Sequence, residues 1–446
     1  LSASMVVDRD AIPYGDDALA DLFLLAERMR SHGILRSYHL RHDMPDEPPM
    51  HYWQVRFRDA PDEGKGSGSD MRDSRHALTC ALAEALERHI WYEYSDYFLL
   101  PMRKTVAEMA AYPHIAPERF TGFSDAQRSA HPRLRVTPES TFLWIQGYSW
   151  TEGRPLWLPA QTVSASATIT EHGKFSEPLL RGRITTGLAT HVTREEALLA
   201  GALEVIERDA YMVTWLNQLS PPRYDIDALA ASYEPLAHLR AQCVRYRLQL
   251  HAVRLPTDAP AHAVLAVVED SSGMAPRFSV GLKAHRDPRA AMYKAIIEAL
   301  RARRGTRRRL TRRAKDAPVE TTIGHRERLT YWAREDTAPR LSFLIAGERM
   351  PFPKEVWEDD SIAQHFERIT KWCTDRAYEL TSVSLTDSRA NITPWHVEMV
   401  VIPELHPMHV SEQFPHHHPR RLASVPLQFG YTPLPEPFSA EPHPFS

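Results

Sequence analysis

The feature of this sequence that most constrains its fold is a charged helix face that occurs twice, 120 residues apart. Residues 193–216 have the periodicity of an amphipathic helix, and a capping box at Thr193 and Glu196 marks its start. One face of this helix sets charges among small and aromatic residues: Ala197, Ala200, Gly201, Glu204, Glu207, Arg208, Tyr211 and Trp215. The earlier copy of the face consists of Ala77, Cys80, Ala81, Glu84, Glu87, Arg88 and Trp91.

A third predicted helix, from residue 287 to about 304, repeats part of this face. It carries Ala291, Ala295 and Glu298, with Arg301 at the position of the second glutamate. Buried carboxylates need cationic partners, because leaving them unpaired costs free energy. Internal Glu–Arg pairing or a solvated helix face would explain one such motif, but the duplication favours a binding site. Paired carboxylates from two helices suit Mg²⁺ with phosphate oxygens, and the arginines suit phosphate.

The remaining patterns predict a mixed α/β (α+β) fold with helices packed on β-sheets. Residues 16–31 are predicted as a helix, and residues 51–57 and 141–150 as strands, from their periodicity. Residues 263–270 and 277–284 flank turn residues and are predicted as a hairpin.

We expect one large domain, because no Pro/Gly/Ser-rich linker divides the chain; a break within 110–135 is the weaker alternative. Its predicted parts are an N-terminal helix and first strand (1–60), a core (61–430) and an extended proline-rich tail (431–446).

The glycine-rich segment before the first glutamate helix is predicted as a loop. Its sequence, GKGSGS at 64–69, matches neither the Walker A pattern nor GxGxxG. A loop in which backbone N–H groups contact phosphate and a merely flexible turn are equally compatible with the sequence.

Composition excludes several classes of function. The 54 basic and 57 acidic residues nearly balance, so composition predicts neither nucleic-acid nor membrane binding. Three scattered cysteines fit no disulfide framework, and no signal peptide is apparent, so a cytoplasmic location is expected.

The eight arginines in residues 301–315 are predicted as an exposed helix end and loop, with an acidic peptide or nucleic acid as the alternative partner. The histidines of FPHHHPRR (414–421) are not predicted to bind metal, and Cys80 is predicted to pack rather than act as a nucleophile.

Five segments together resemble the YcaO family, and they follow that family's order along nearly the whole chain. They are GKGSG (64–68), ALAEALER (81–88), TTGLATHVTREEALLAGALEVIERDA (185–210), DPRAAMYKAIIEALRARR (287–304) and the closing PHPFS. The resemblance implies a YcaO-like fold whose ATP and Mg²⁺ site lies between the duplicated glutamate helices. It gives Mg²⁺ coordination to four carboxylates: Glu84, Glu87, Glu204 and Glu207. It assigns nucleotide contacts to Lys65, Ser67, Arg88, Thr185, Thr186, Arg208, Glu298 and Arg301.

The sequence departs from the family pattern at three positions. Members usually carry glutamine at the position of Arg301 and asparagine at that of Thr186. Azoline-forming members typically end in Pro-x-Pro-x-Pro, whereas here Pro442 and Pro444 are followed by Ser446, whose terminal carboxylate could still serve as a base. The TTGLATH and IERDAYMVTWL segments are more similar to peptide-maturation members.

The resemblance therefore implies a cyclodehydratase that makes thiazoline or oxazoline rings from Cys, Ser or Thr of a ribosomally made precursor peptide. It also implies a separate leader-binding partner protein, a flavin-dependent azoline oxidase acting later, and a homodimer. Formation of a thioamide or macroamidine by the same amide activation is one alternative. A non-catalytic scaffold that binds the precursor peptide is another.

Overall fold

The computed structural model describes residues 19–57, 65–93, 101–164, 177–182, 184–312, 325–353, 357, 359–386, 393–410, 412–436 and 438–445. Within these residues the chain has the mixed α/β architecture that the sequence predicts, with helices packed on three β-sheets. No helix among the described residues is both long enough and apolar enough to span a membrane.

The N-terminal region is a three-stranded antiparallel sheet covered by helices. Its elements are α1 (Ala20–Ser31), β1 (Leu35–Leu40), β2 (His51–Phe57), β3 (Lys65–Asp70) and α2 (Ser74–Glu93). Strand β1 was not predicted, and the prediction of a loop at the GKGSGS segment is wrong from Lys65 onward. The segment forms β3 because its glycines let α2 approach closely: a Cβ on Gly68 would lie 1.9 Å from the carbonyl oxygen of Ala77.

The central region leads into the second glutamate helix. Its elements are β4 (Met102–Thr105), α3 (Val106–Met109), α4 (Asp125–Ala130), β5 (Thr141–Ser149), β6 (Arg154–Pro159), β7 (Leu188–His191) and α5 (Arg194–Leu216). The predicted start of α5 is confirmed, since the Thr193 hydroxyl accepts a hydrogen bond from the Glu196 amide at 3.2 Å.

The C-terminal half contains the predicted hairpin and the third repeated helix. Its first elements are β8 (Arg223–Tyr224), α6 (Ile226–Ala230), α7 (Glu234–Arg245), β9 (Leu248–Arg254), β10 (His262–Asp270), β11 (Phe278–His285) and α8 (Pro288–Arg312). The later elements are α9 (His325–Tyr331), β12 (Arg349–Met350), α10 (Ile362–Asp375), β13 (Thr381–Ser384), β14 (His396–Val401) and α11 (Pro419–Gln428). The sheets are ordered β1-β2-β3, β11-β10-β9-β8-β12 and β4-β5-β13-β14-β7, with β6 beside β5.

Helix α8 continues past the predicted end near residue 304, and part of its arginine-rich segment is buried. Arg303 is 1% exposed and pairs with Glu47 at 2.9 Å and with Asp270. Arg304 is equally buried, donates to the His42 carbonyl at 3.0 Å and lies over the ring of Tyr52. The prediction of an exposed helix end is therefore wrong at these two positions, because the segment between β1 and β2 covers the helix.

The three repeated helices and three strands, β3, β7 and β11, alternate in a ring. Strands β3 and β11 contain glycines, and Gly187 immediately precedes β7. Helix α2 packs on β3 and contacts β7, α5 packs between β7 and β11, and α8 packs on β11 and contacts β3. Close approach depends on glycine in each repeat; a Cβ on Gly281, for example, would lie 2.2 Å from the carbonyl oxygen of Ala295. The glutamates of all three helices therefore converge on one region.

Candidate active site

The first glutamate of each repeated face accepts a hydrogen bond from a backbone amide that precedes its helix in the sequence. The Glu84 carboxylate accepts from the Ser67 amide at 2.5 Å. That of Glu204 accepts from the Gly187 amide at 2.9 Å, and that of Glu298 from the Leu282 amide at 2.7 Å. In each case the glutamate follows its donor by 16 or 17 residues. These bonds fix each carboxylate against a backbone amide that lies within a strand (Ser67, Leu282) or immediately before one (Gly187), so the three repeats also share this hydrogen bond.

The residue three positions after each of these glutamates (Glu87, Glu207 or Arg301) contacts the strand that packs against the next helix of the ring. The Glu207 carboxylate accepts from the Ala284 amide of β11 at 2.6 Å. Glu87 is a neighbour of Thr190 on β7. Arg301 closes the ring by donating to the Ser67 carbonyl of β3 at 3.3 Å. The third helix therefore also contacts the next strand, but Arg301 donates the hydrogen bond where Glu207 accepts one.

Arginines pair with these carboxylates within each helix, as the alternative of internal Glu–Arg pairing requires. Arg88 lies 2.6 Å from Glu84, and Arg301 lies 3.2 Å from Glu298. Arg208 contacts both Glu204, at 3.0 Å, and Glu207, at 2.6 Å. The pairing is incomplete, because the three guanidinium groups face five carboxylates.

Burial and the proximity of other carboxylates raise the pKa values of three glutamates in the cluster. Burial, together with the negative charges of Glu204 and Glu84, raises the pKa of Glu87 well above its usual value. Burial also raises the pKa of Glu204, against the opposing charge of Arg208. The pKa of Glu298 is raised by burial in the same way. A bound divalent cation would offset this charge and hold the carboxylates ionised.

The donor set fits Mg²⁺ with a phosphate ligand better than a metal held by protein alone. Among the described residues, no three acidic, histidine or cysteine side chains form a ready-made metal site. Mg²⁺ typically takes one or two carboxylates and completes its shell with phosphate oxygens and water. The side chains of Glu84 and Glu204 are each 23% exposed, so the cluster is open to a ligand. The buried Nε of Arg208 has no hydrogen-bond partner among the residues described, and a guanidinium N–H of this kind can bind phosphate.

The other residues predicted to contact nucleotide lie around this cluster. Ser67 is on β3, and its hydroxyl also donates to Glu84 at 3.2 Å. Thr185 and Thr186 immediately precede Gly187, whose amide bonds to Glu204, and Thr186 is buried. Lys65 begins β3, and its side chain lies outside the part of the chain that the structure describes.

The C-terminal tail runs along α5 to the cluster. The indole N–H of Trp215 donates to the Glu441 carbonyl at 3.1 Å, and that of Trp332 donates to the Pro442 carbonyl at 2.8 Å. Pro442 and Pro444 are buried. The Arg208 guanidinium lies 4.3 Å from the ring centre of Phe445, whereas Ser446 is outside the described residues. The described tail therefore ends beside an arginine of the carboxylate cluster.

A buried ion-pair network that the sequence did not predict lies next to the cluster. Asp209, adjacent to Arg208, accepts from Arg421 at 2.6 Å and from the His406 amide at 2.8 Å. Arg421 also pairs with Asp258 at 2.7 Å. The sequence offers no periodic signal for this network, because α2 has a histidine, His89, at the equivalent position. Among the histidines of FPHHHPRR, His416 has a structural role: its ring bonds the Pro407 carbonyl and the Gly182 amide.

Comparison with known proteins places the chain in a family. Residues 67–406 match the family model described as YcaO cyclodehydratase, ATP- and Mg²⁺-binding. A curated relative, an uncharacterized protein of Methanothermobacter thermautotrophicus, is 28% identical over 44% of this chain and 53% of its own length. The aligned part thus spans about half of that relative.

Solved structures show the same fold at low identity. A heterocyclase in complex with substrate and cofactor aligns with a TM-score of 0.72 and 22% identity over 94% of this chain and 57% of its own. The YcaO protein of Methanopyrus kandleri bound with AMPPCP and Mg²⁺ aligns with a TM-score of 0.64 and 17% identity, covering 90% and 94% of the two chains. The E. coli microcin synthetase McbBCD complex with pro-MccB17 bound gives a TM-score of 0.56 and 12% identity, covering 82% and 87%. Since the family model matches most of the chain, this protein belongs to the YcaO family.

Proposed function

We propose that this protein is an Mg²⁺- and ATP-dependent cyclodehydratase that forms thiazoline or oxazoline rings in a ribosomally made precursor peptide. The observation that carries the proposal is the convergence of two intact Glu-x-x-Glu-Arg faces, from α2 and α5, with the related face of α8. Family membership supports the use of ATP and Mg²⁺. The ring-forming specificity is the proposed step.

In this proposal the carboxylates hold the metal ions. Glu84, Glu87, Glu204 and Glu207 project from two helices, and backbone amides fix the orientation of Glu84, Glu204 and Glu207. Bound Mg²⁺ and ATP would supply a phosphoryl group that makes an amide oxygen a good leaving group. The arginines that now pair with the carboxylates would turn to phosphate when the metal ions neutralise the glutamates.

The surrounding residues take the roles of nucleotide and substrate positioning. Arg88, Arg208, Arg301, Lys65 and Ser67 would contact the phosphates. Thr185 and Thr186 would lie near the nucleoside, and Glu298 would contribute to the nucleotide site from α8. The tail, with Pro442, Pro444 and Ser446, would contribute the catalytic residues that act beside the attacking Cys, Ser or Thr. The contact of Phe445 with Arg208 supports this placement of the tail.

Partners are also part of the proposal. The precursor peptide would be presented by a separate leader-binding protein, and an azoline oxidase would act on the product. Structures of related fold include the McbBCD complex with pro-MccB17, which supports an assembly of this kind. A homodimer and a cytoplasmic location remain predictions.

The test uses precursor peptides encoded beside this gene, synthesised with heavy oxygen in the backbone amides that precede Cys, Ser or Thr. The protein and its co-encoded partner are incubated with the peptide, ATP and Mg²⁺. The proposal predicts loss of one water per modified residue and heavy oxygen in the released phosphate, neither of which occurs with Glu207→Gln. Exchange of oxygen for sulfur, or water loss that joins an amine to the amide, would overturn ring formation in favour of a thioamide or macroamidine. Peptide binding without ATP turnover would overturn the enzyme itself.

A further inference from the structure

A cavity of about 560 Å³ opens on the surface between the turn after α10 and the start of α11. We call it the arginine pocket. Its lining residues, none of which belongs to the carboxylate cluster, are Arg119, Arg376, Ala377, Tyr378, Glu404 and Arg420. We propose that the arginine pocket binds an acidic segment of the precursor peptide. The proposal rests on the proposed function, which brings such a peptide to this protein.

The arginine pocket presents guanidinium groups to solvent and keeps their carboxylate partners beneath them. The side chain of Arg119 is 34% exposed and lies 2.5 Å from Glu404, whose side chain is 3% exposed. The side chain of Arg376 is 36% exposed and lies 2.9 Å from Asp258, whose side chain is 8% exposed. A ligand that enters the pocket therefore meets cations first. Carboxylate ligands suit such a surface, because a guanidinium can donate two parallel hydrogen bonds to one carboxylate.

Arg420 adds a positive charge that has no partner within the described part of the chain. Its side chain is exposed, and it forms no hydrogen bond or ion pair with a described residue. Arg420 lies in the first turn of α11, where the helix dipole places partial positive charge and disfavours a cation. The first turn of α11 contains no acidic residue that would offset either charge. A carboxylate bound at Arg420 would offset both.

A buried chain of ion pairs holds the floor of the arginine pocket in place. Asp258, the partner of Arg376, also pairs with Arg421 at 2.7 Å. Arg421 in turn pairs with Asp209 of α5 at 2.6 Å, and both side chains are 1% exposed. Of the two neighbouring arginines, Arg421 therefore fixes the floor while Arg420 faces the cavity. Because Asp258 is already fixed, Arg376 loses less side-chain freedom when a ligand binds.

The charges around the arginine pocket favour a peptide over nucleic acid. Glu118 precedes Arg119, and Asp375, which also pairs with Lys371, precedes Arg376; both carboxylates are exposed. A nucleic acid carries a phosphate at every nucleotide, so phosphates on either side of the pocket would meet these acids. A peptide can instead place one or two separate carboxylates on the arginines and neutral residues beside the acids.

The test measures binding of the fluorescein-labelled precursor peptide encoded beside this gene to the full chain, by fluorescence anisotropy without ATP or partner protein. Wild-type protein should bind the peptide, and added salt should weaken binding because the arginines are exposed. Arg420→Glu should weaken binding at least about tenfold, since hydrogen bonds to charged groups contribute this much or more. Replacing every Asp and Glu of the peptide with Asn and Gln should have a similar effect.

The choice of variants keeps the measurement interpretable. A glutamate in the first turn of α11 is favourable for the helix, so Arg420→Glu is expected to fold, which its circular dichroism checks. Arg36→Glu, at an exposed position on β1, changes the net charge equally and should bind the peptide as wild type does. No binding by the wild-type chain, or equal affinities of the two variants or of the two peptides, would overturn the proposal. Tighter binding of a labelled single-stranded DNA, lost in Arg420→Glu, would assign the pocket to nucleic acid instead.

Turnover separates this inference from the proposed function. With the partner protein, ATP and Mg²⁺, Arg420→Glu should raise the KM for the precursor peptide about tenfold and leave kcat close to that of wild type, because the pocket lies outside the carboxylate cluster. Water loss from the peptide with the same KM in both proteins would overturn the inference about the pocket and leave the proposed function standing. Peptide binding that requires Arg420, in a protein that removes no water, would support the pocket and overturn the proposed function.

Discussion

The junction of α5 with β11 and the junction of α8 with β3 are built alike but carry opposite charges. At the first, Glu207 accepts a hydrogen bond from the Ala284 amide at 2.6 Å. At the second, Arg301 donates to the Ser67 carbonyl at 3.3 Å. The chain has kept the contact between each helix and the next strand while exchanging an anion for a cation. We call each repeated helix with the strands it contacts a sector. The first charged residue of each face (Glu84, Glu204 or Glu298) makes the same hydrogen bond in every sector, and the second (Glu87, Glu207 or Arg301) sets the charge of the sector.

This difference divides the ring into sectors with different chemistry. The sectors of α2 and α5 contribute two carboxylates each and suit metal ions. The α8 sector contributes one carboxylate, Glu298, and one guanidinium, Arg301, and the guanidinium suits an anion such as phosphate. If this division is correct, variants at equivalent positions should fail in different ways.

The largest effect is expected at Glu207. Glu207→Gln keeps an acceptor for the Ala284 amide but removes a charge from the proposed metal site. Turnover with Mg²⁺ and ATP should fall by more than about 100-fold, the upper end of what loss of an outer-shell metal partner costs. Steady-state phosphate release measures this, with Glu195→Gln on the exposed side of the same helix as the control. Retention of turnover within tenfold would refute a metal-binding role for this carboxylate.

A smaller effect, on stability, is expected where glycine lets helix and strand approach. A Cβ at position 281 would meet the backbone of α8, with its nearest atoms at 2.2 and 2.4 Å. Gly281→Ala should lower the free energy of unfolding by about 1–3 kcal/mol or more. Gly305→Ala, at a site on α8 with no atom within 4 Å, should raise it by about 0.5–1 kcal/mol. Urea unfolding compares the two, and equal changes would show that close approach is not what requires glycine at 281.

Arg301→Gln tests whether the α8 sector binds an anion, the phosphate of ATP. A hydrogen bond to a charged group contributes about 1.5–3 kcal/mol, and glutamine would keep part of it. We expect the KM for ATP to rise about tenfold, which corresponds to about 1.4 kcal/mol, with a smaller change in kcat. Arg289→Gln, near the start of the same helix, is the control. An unchanged KM would mean that Arg301 only closes the ring of helices.

The smallest effect expected is a pH dependence of stability that arises from Glu87. Because the pKa of this carboxyl is raised in the folded state, the folded protein binds its proton more tightly than the unfolded chain does. Its contribution to stability is therefore present below the ordinary pKa of 4.5 and is lost as pH rises through the raised value. Without Mg²⁺ and ATP, Glu87→Gln should gain stability over wild type as pH increases from about 5 to 8. If the difference in free energy of unfolding between the two proteins does not change with pH, the proposed excess of carboxylate is wrong.

Several features of the fold could be predicted because their signals are local. The start of α5 at Thr193 depends on a cap four residues long, and the hairpin of β10 and β11 depends on alternation across a turn. The repeated glutamate faces could also be found from the sequence, since helical periodicity places those side chains together.

Other features depend on contacts between distant residues. Strand β3 could not be predicted, because glycine disfavours strands unless another backbone packs against it, and α2 supplies that backbone. The burial of Arg303 requires Glu47, far away in sequence. In the site, periodicity identifies Glu207 and Arg301 but cannot show that each contacts the strand of the next repeat. The Asp209–Arg421 pair was missed for the same reason.

The central claim is that carboxylates from different repeated helices bind Mg²⁺ around one ATP molecule. Calorimetric titration of ATP into the purified protein, with Mg²⁺ and then with EDTA, tests it most directly. Glu84→Gln and Glu207→Gln retain hydrogen-bond acceptors for their strands, so they remove charge with little change in packing. We predict Mg²⁺-dependent binding by wild type that is lost in both variants. Binding that persists in either variant, or in EDTA, would contradict a site shared between α2 and α5.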